Sequence, residues 1–268
     1  MTMLRFFVLV LLVSSLSVSS VLGQSDSIRR SDGFRFVDGI YYNFTGPLRW
    51  KQKDWLTFGA VIGGTSALTL LDKPVRRAWE PVDEKFLDHV NDIGDAYGKT
   101  YSAFIFSGGF YLSGVVAKNE WLKETGIMLG AALFTTGAIQ AGLKPLVGRA
   151  RPEVGEGNFS FYPFSREGKF HSFPSGHTCI ALTISFVMAR RVKSVPVKVL
   201  FYSLAASTVV CRLYSDRHWI SDIGFGGASA WFAAESAVRR VESTRFRTQE
   251  SKLVLYPYPG GLTLKMKL

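Results

Sequence analysis

Thr125-Gly-Ile-Met-Leu-Gly-Ala-Ala-Leu-Phe-Thr-Thr-Gly-Ala-Ile-Gln-Ala-Gly-Leu143 runs directly into Lys144, and seven residues later come Arg151 and Pro152. These 19 residues carry no charge, which puts them at the lower end of the length a membrane-crossing helix needs. Trp55–Leu71 and Tyr101–Ala117 are charge-free as well, at 17 residues each. Three further apolar runs, near 174–189, 197–211 and 222–238, are interrupted by His177, Lys198 and Glu235. Periodicity does not separate a short spanning helix from a fully buried one. Length favours spanning for the first three runs and leaves the last three open.

The remainder of the chain is consistent with this reading. A length of 268 residues suits one large domain. With 47% hydrophobic and 14% aromatic residues, the chain is too apolar for a disordered class. A mean hydropathy of +0.14 is lower than expected if nearly every residue sat in lipid. The net charge of +11 is spread between apolar segments rather than gathered in one arm, which argues against nucleic acid as a partner. Cys179 and Cys211 are too few for a disulfide framework or a metal site and read as small buried hydrophobes.

Met1–Arg5, the apolar run Phe6–Val13 and Val21-Leu22-Gly23 have the pattern of an export signal over residues 1–23, cleaved before Gln24. Residues 24–54 are expected to form an irregular lead-in, 55–240 the helical domain, and 241–268 a polar tail. Alternation in Lys252–Tyr256 and Leu262–Leu268 around Pro-Gly-Gly predicts a small hairpin in that tail. A short amphipathic helix is expected around Asp83–Asp92.

The residues that carry chemistry lie beside the ends of the apolar runs. Lys144 and Arg151 follow the third run, Pro174-Ser175-Gly176-His177 opens the fourth, Arg212 ends the fifth, and His218 and Asp222 lead into the sixth. If the helices alternate up and down, all of these meet at one end of the bundle. Arg151 and Arg212 can each offer a bidentate fork to phosphate oxygens, and Lys144 adds a point charge. Ser175 and Gly176 precede a helix, so their backbone N–H groups can face an anion. His218 and Asp222 stand at i, i+4, a spacing that lets the carboxylate fix the tautomer and frees the other ring nitrogen to attack. His177 is the remaining candidate acid and base. Taken singly, each has an ordinary reading: a snorkelling cation, a core histidine, a plain helix start. The combination points to a phosphate pocket with a nucleophile.

Lys144-x6-Arg151-Pro152, Pro174-Ser175-Gly176-His177 and Arg212-x5-His218-x3-Asp222 resemble the three-part signature of the type 2 phosphatidic acid phosphatase and vanadium haloperoxidase superfamily. The resemblance covers roughly residues 55–240. It departs at Cys211, where the family usually has Ser before the arginine. The resemblance implies an all-α fold, a six-helix bundle. It also implies His218 as nucleophile, Asp222 as its orienting partner and His177 as general acid and base. Lys144, Arg151, Ser175, Gly176 and Arg212 would bind the phosphoryl group, with neither metal nor cofactor. The implied substrate is a phosphorylated lipid, such as phosphatidic acid or undecaprenyl pyrophosphate, or a small phosphomonoester.

A vanadate-dependent haloperoxidase would use the same pocket, but the family's haloperoxidases are much longer. A non-catalytic membrane protein with a degenerate pocket would have little reason to keep every charged group in an apolar setting. A transporter would place charge at mid-membrane rather than at segment ends. The chain is expected to be exported and membrane-associated with its active site on the periplasmic or external face, the alternative being a soluble periplasmic acid phosphatase. Lys and Arg counts tilt toward the external site only after Lys144, Arg151 and Arg212 are set aside as catalytic.

Overall fold

The structure, a computed structural model, describes residues 31–79, 85–250, 253–258 and 261–266. The expected signal peptide lies outside the described residues. Nine α-helices occur among those described: α1 (Asp32–Phe44), α2 (Gln52–Ala67), α3 (Asp72–Trp79), α4 (Lys85–Gly98), α5 (Thr100–Val116), α6 (Glu120–Val147), α7 (Gly176–Arg191), α8 (Val195–Tyr214) and α9 (Ile220–Glu250). The six longest, α2 and α5 to α9, are the six apolar segments read from the sequence. Leu253–Tyr258 pairs antiparallel with Gly261–Met266, the expected hairpin.

Helix α6 is the axis of the bundle. Asn119 caps its start by accepting from the Leu122 N–H at 3.2 Å. Gly148, at φ 62°, ends it in the left-handed conformation that glycine adopts without strain. Its buried face, Ile127, Met128, Leu129 and Ala132, packs with Phe106 and Phe110 of α5, Ile184 and Met188 of α7, Phe201 of α8 and Val238 of α9. Lys144 sits in the last turn of α6, where a cation suits the helix dipole.

The lead-in is not irregular over residues 32–54. Ser31 accepts from the Phe34 N–H at 3.3 Å and opens α1. Phe36 and Ile40, one turn apart, pack on the core, and Gly39 brings the α1 backbone against Ala131. Arg35 reaches Glu124 at 2.9 Å and Asp38 holds Arg240 at 2.7 Å. The Gly, Asp and Asn residues that read locally as loop are thus the small and polar contacts of a packed helix. The short amphipathic helix expected around Asp83–Asp92 is present but displaced to Lys85–Gly98, with a separate helical piece before it at Asp72–Trp79.

Three helical stretches are long and apolar enough to cross a membrane: Gln52–Trp79, Glu120–Val147 and Val195–Tyr214. Two of them contain segments favoured from sequence. The third favoured segment, Tyr101–Ala117, forms a helix of 17 residues and is not among them, whereas the fifth segment is. None of the most apolar stretch of Gln52–Trp79 is buried against the rest of the protein. Trp55, Leu56 and Leu70 project outward from it, an apolar surface that water would penalise and lipid would cover.

Gly94 lets α4 lie against α8: a Cβ there would collide with the Ser207 carbonyl, and Thr208 Oγ1 donates to the Gly94 carbonyl at 2.8 Å. Gly94→Val should therefore destabilise the fold by about 1–3 kcal/mol, read as a lower thermal unfolding midpoint of the detergent-solubilised protein. An unchanged midpoint would show that α4 is free to move off α8.

Candidate active site

The end of α6, the start of α7, the end of α8 and the turn before α9 converge on one cavity of about 250 Å³. Its lining includes Lys144, Arg151, Gly176, His177, Arg212 and His218. Seven of the eight residues singled out from the sequence either line it or, in the case of Asp222, stand directly behind it. Gly176 sits against the amide end of Gln140, where a Cβ would push that side chain aside, and within 4 Å of the Lys144 stem.

Ser175 is the exception. It is fully buried, its N–H donates to the Asp222 carbonyl at 3.2 Å, and its hydroxyl is shared with Thr178 Oγ1 at 2.8 Å. Its backbone donor is consumed in tying α7 to α9, so it positions the helix start and does not line the cavity.

Four buried polar atoms of the site have no hydrogen-bond partner: Arg151 Nε, Arg212 Nε, His177 Nε2 and His218 Nδ1. Buried donors are rarely left in this way; His177 Nε2 and His218 Nδ1 face Asp95 and Asp222, which leaves Arg151 Nε and Arg212 Nε as the two free to meet an anion. Lys144 Nζ donates to the His171 carbonyl at 2.8 Å, which fixes its direction. Burial lowers the pKa of the Arg151 guanidinium from its ordinary value, so an incoming negative charge has a poorly solvated cation to meet.

His218 is 4% exposed, and its Nδ1 lies 3.7 Å from Asp222 Oδ2, within Coulombic reach but beyond hydrogen-bond length. Burial pulls its pKa down to about 4, against the opposing charge of Asp222. The ring is therefore neutral near pH 7, as a nucleophile must be. Asp222 is fixed on all sides. Ser172 Oγ donates to it at 2.5 Å, the Trp219 N–H at 3.0 Å and Arg149 Nη1 at 2.5 Å.

Arg149 was not singled out from the sequence. It is 3% exposed and bridges Asp222 and Asp72, the latter at 2.6 Å, while also donating to Ser221 Oγ at 2.8 Å and the Asn158 carbonyl. Asp72 in turn accepts from the Ser221 N–H and hydroxyl. Asp95 was missed as well. It holds Arg212 Nη2 at 2.5 Å and Lys99 at 2.5 Å, and lies 3.3 Å from His177 Nε2. Burial alone would raise its carboxyl pKa, but Lys99 and Arg212 hold it below the ordinary value. Both aspartates fall in the Asp72–Thr100 linker. A carboxylate in a linker beside several lysines and arginines gives no local sign of its distant partner.

Arg149→Met would leave two buried carboxylates without their shared counter-charge. The expected loss is about 3–5 kcal/mol of stability, whereas Arg151→Met, whose guanidinium faces the cavity, should cost far less. Parallel thermal unfolding of the two variants checks this, and equal losses would refute the structural role given to Arg149.

Comparison with known proteins follows the same lines. Residues 125–245 match the model of the PAP2 superfamily. A lipid A 1-phosphatase of Rhizobium johnstonii is 32% identical over 206 residues, which span 72% of this chain and 81% of that one. A lipid A 1-phosphatase of Rhizobium etli is 32% identical over 209 residues, 72% of this chain and 85% of that one. Among solved structures, a transmembrane PAP2-type phosphatidylglycerolphosphate phosphatase from Bacillus subtilis aligns with a TM-score of 0.46 at 18% identity, over 78% of this chain and 97% of that one. The chain belongs to the PAP2 superfamily and is a phosphatase.

Proposed function

We propose that this phosphatase removes a phosphate from a membrane lipid, with the 1-phosphate of lipid A as the favoured substrate, through a phosphohistidine on His218. The observation that carries the reading is the convergence of His218, His177, Lys144, Arg151 and Arg212 on one cavity, with Arg151 Nε and Arg212 Nε buried and unpartnered. Similarity to two lipid A 1-phosphatases over most of their length supports the choice of lipid. The outward apolar surface of Gln52–Trp79 supports a protein embedded in the membrane that holds such lipids.

The phosphoryl group sits among Lys144, Arg151 and Arg212, with the N-terminus of α7 behind it. His218 Nδ1 faces Asp222, which leaves Nε2 to attack phosphorus. As the N–P bond forms, the P–O bond to the lipid breaks and the leaving oxygen takes a proton from His177. His177 then removes a proton from water, the resulting hydroxide attacks phosphorus, the N–P bond breaks, and inorganic phosphate departs with His218 neutral again. The cationic side chains supply the charge stabilisation that phosphoryl transfer requires, so the mechanism proposed here is metal-independent and needs no cofactor. We place the catalytic face on the periplasmic or external side, the face that the Lys and Arg counts favour once Lys144, Arg151 and Arg212 are set aside as catalytic.

In EDTA, the wild type should release phosphate from lipid A faster than from phosphatidic acid, undecaprenyl pyrophosphate or p-nitrophenyl phosphate. His218→Ala should release none, and His177→Asn should be slowed by about 10²–10⁴-fold. Wild type quenched in alkaline denaturant should carry phosphate on His218, in a linkage that acid then removes. Release by His218→Ala at the wild-type rate would sink the mechanism, and preference for p-nitrophenyl phosphate would favour a general acid phosphatase.

The pH dependence follows from His218. Attack needs the neutral ring, and the free-enzyme pKa is about 4 rather than 6.5. The acid limb set by His218 should thus lie near pH 4 rather than 6.5; His177, held down to about 3 by burial and Arg212 in the empty site, has to be protonated to serve as the acid and gains its proton once the substrate's negative charge is in place. A pH series with p-nitrophenyl phosphate reads this, and an acid limb at 6.5 would contradict it.

A further inference from the structure

A second cavity, of about 310 Å³, opens between α7, α8 and α9 at the end of the bundle opposite the catalytic site. Its lining includes Phe186 and Arg190 of α7, Lys198 and Tyr202 of α8, and Trp231 and Glu235 of α9. On each helix an aromatic and a charged residue stand four apart, one helical turn of about 5.4 Å. Because α7 and α9 run away from the catalytic face and α8 runs back toward it, the order in space is the same on all three. The aromatic lies on the side of the bundle's middle and the charge lies toward the far end. Trp231 and Tyr202 are 42% and 45% exposed. A layer of aromatics one turn inside a layer of charges has the polarity profile of a membrane interface read from hydrocarbon to headgroup.

The charge balance selects the headgroup. Glu235 is the lining carboxylate, and it is already engaged by Arg239 at 2.7 Å and Arg190 at 3.5 Å. Lys198 makes no ion pair among the described residues. The pocket therefore holds surplus positive charge, with an arginine fork suited to phosphate oxygens and an ammonium beside it. Val195 and Val199 lie exposed on the same end of α8, as a lipid-facing surface requires.

We infer that this cavity binds the headgroup of an anionic phospholipid in the leaflet opposite the active site, with its phosphate at Arg190 and Lys198 and its acyl chains past Phe186, Tyr202 and Trp231. The site makes no catalytic contact. Residue 190 is 13 positions along α7 from His177, or about 20 Å at 1.5 Å per residue. Its role is to anchor the three helices that carry the catalytic residues. The inference rests on the reading of the chain as membrane-embedded.

The test uses the full chain in detergent, with retention in carbonate-washed membranes checked first. Native mass spectrometry then follows added phosphatidylglycerol, phosphatidylcholine and inorganic phosphate. One phosphatidylglycerol should be retained in preference to phosphatidylcholine, and millimolar inorganic phosphate should not displace it. Arg190→Glu and Lys198→Glu should each weaken that binding by roughly tenfold. Trp231→Ala should weaken both lipids alike, and His218→Ala should bind as the wild type does. Equal retention of the two lipids, unchanged binding in both charge-reversed variants, or displacement by free phosphate would overturn the headgroup site and leave the phosphatase reading intact. Loss of the protein from washed membranes would overturn the embedded reading and the headgroup site together.

Discussion

Arg149 between Asp72 and Asp222 is the contact on which the catalytic end depends. Three charges sit there with almost no exposure, and such a group is tolerated only when every charge is paired and every lone pair is met. Those conditions are satisfied by pieces far apart in the chain: the start of α3, the loop after α6, Ser172 before α7, and Ser221 in the first turn of α9. Satisfying the charges therefore fixes four segments at once, and Asp222, the residue that faces His218, stands at the centre. The histidine inherits its orientation from an ion cluster that the substrate never touches.

Around the cavity itself the electrostatics run the other way. Lys144, Arg151 and Arg212 face one small volume, and the nearby carboxylates, Asp95 and Glu153, approach Arg212 and Arg151 without lining it. Like charges gathered in a poorly solvated space repel, and the unpartnered nitrogens record what the protein leaves unsatisfied. In the proposed mechanism a phosphate relieves this strain, and a five-coordinate phosphorus with more charge on its equatorial oxygens relieves it further. That difference is what lowers a barrier rather than merely tightening binding. Asp95 holds one nitrogen of Arg212 and so keeps that side chain extended toward the site, at the cost of competing with the substrate for it.

The sequence disclosed some layers of this arrangement and not others. The six long helices were legible because each contains an apolar run, and the site was legible because its residues cluster at the ends of those runs. Arg149 was not, since two residues before Arg151 it looks like one more cation in a basic loop. Asp72 and Asp95 act across 77 and 117 positions, a range that no local pattern reports. Ser175 shows the opposite error. A serine before a helix invites an anion, but here its N–H is claimed by the Asp222 carbonyl. Helix α1 escaped notice because its buried face is made of Gly39 and Asn43 as well as Phe36 and Ile40, and small or polar residues against a neighbouring helix read locally as a turn.

Helix length connects the chemistry to the membrane. Helix α7 has 16 residues and so spans about 24 Å, less than the roughly 30 Å of a bilayer's hydrocarbon core. On the embedded reading, with Arg190 at one interface, the other end of α7, and His177 with it, falls inside the depth of the bilayer rather than above it. A short span is accommodated by local thinning of lipid, which lowers the headgroups toward the cavity. A phosphate on a lipid then meets His218 from within its own leaflet, while its acyl chains stay in hydrocarbon. A soluble phosphate ester has to descend to the same level. On the embedded reading, the length of one short helix thus favours lipid phosphates before any contact with the rest of the lipid is made.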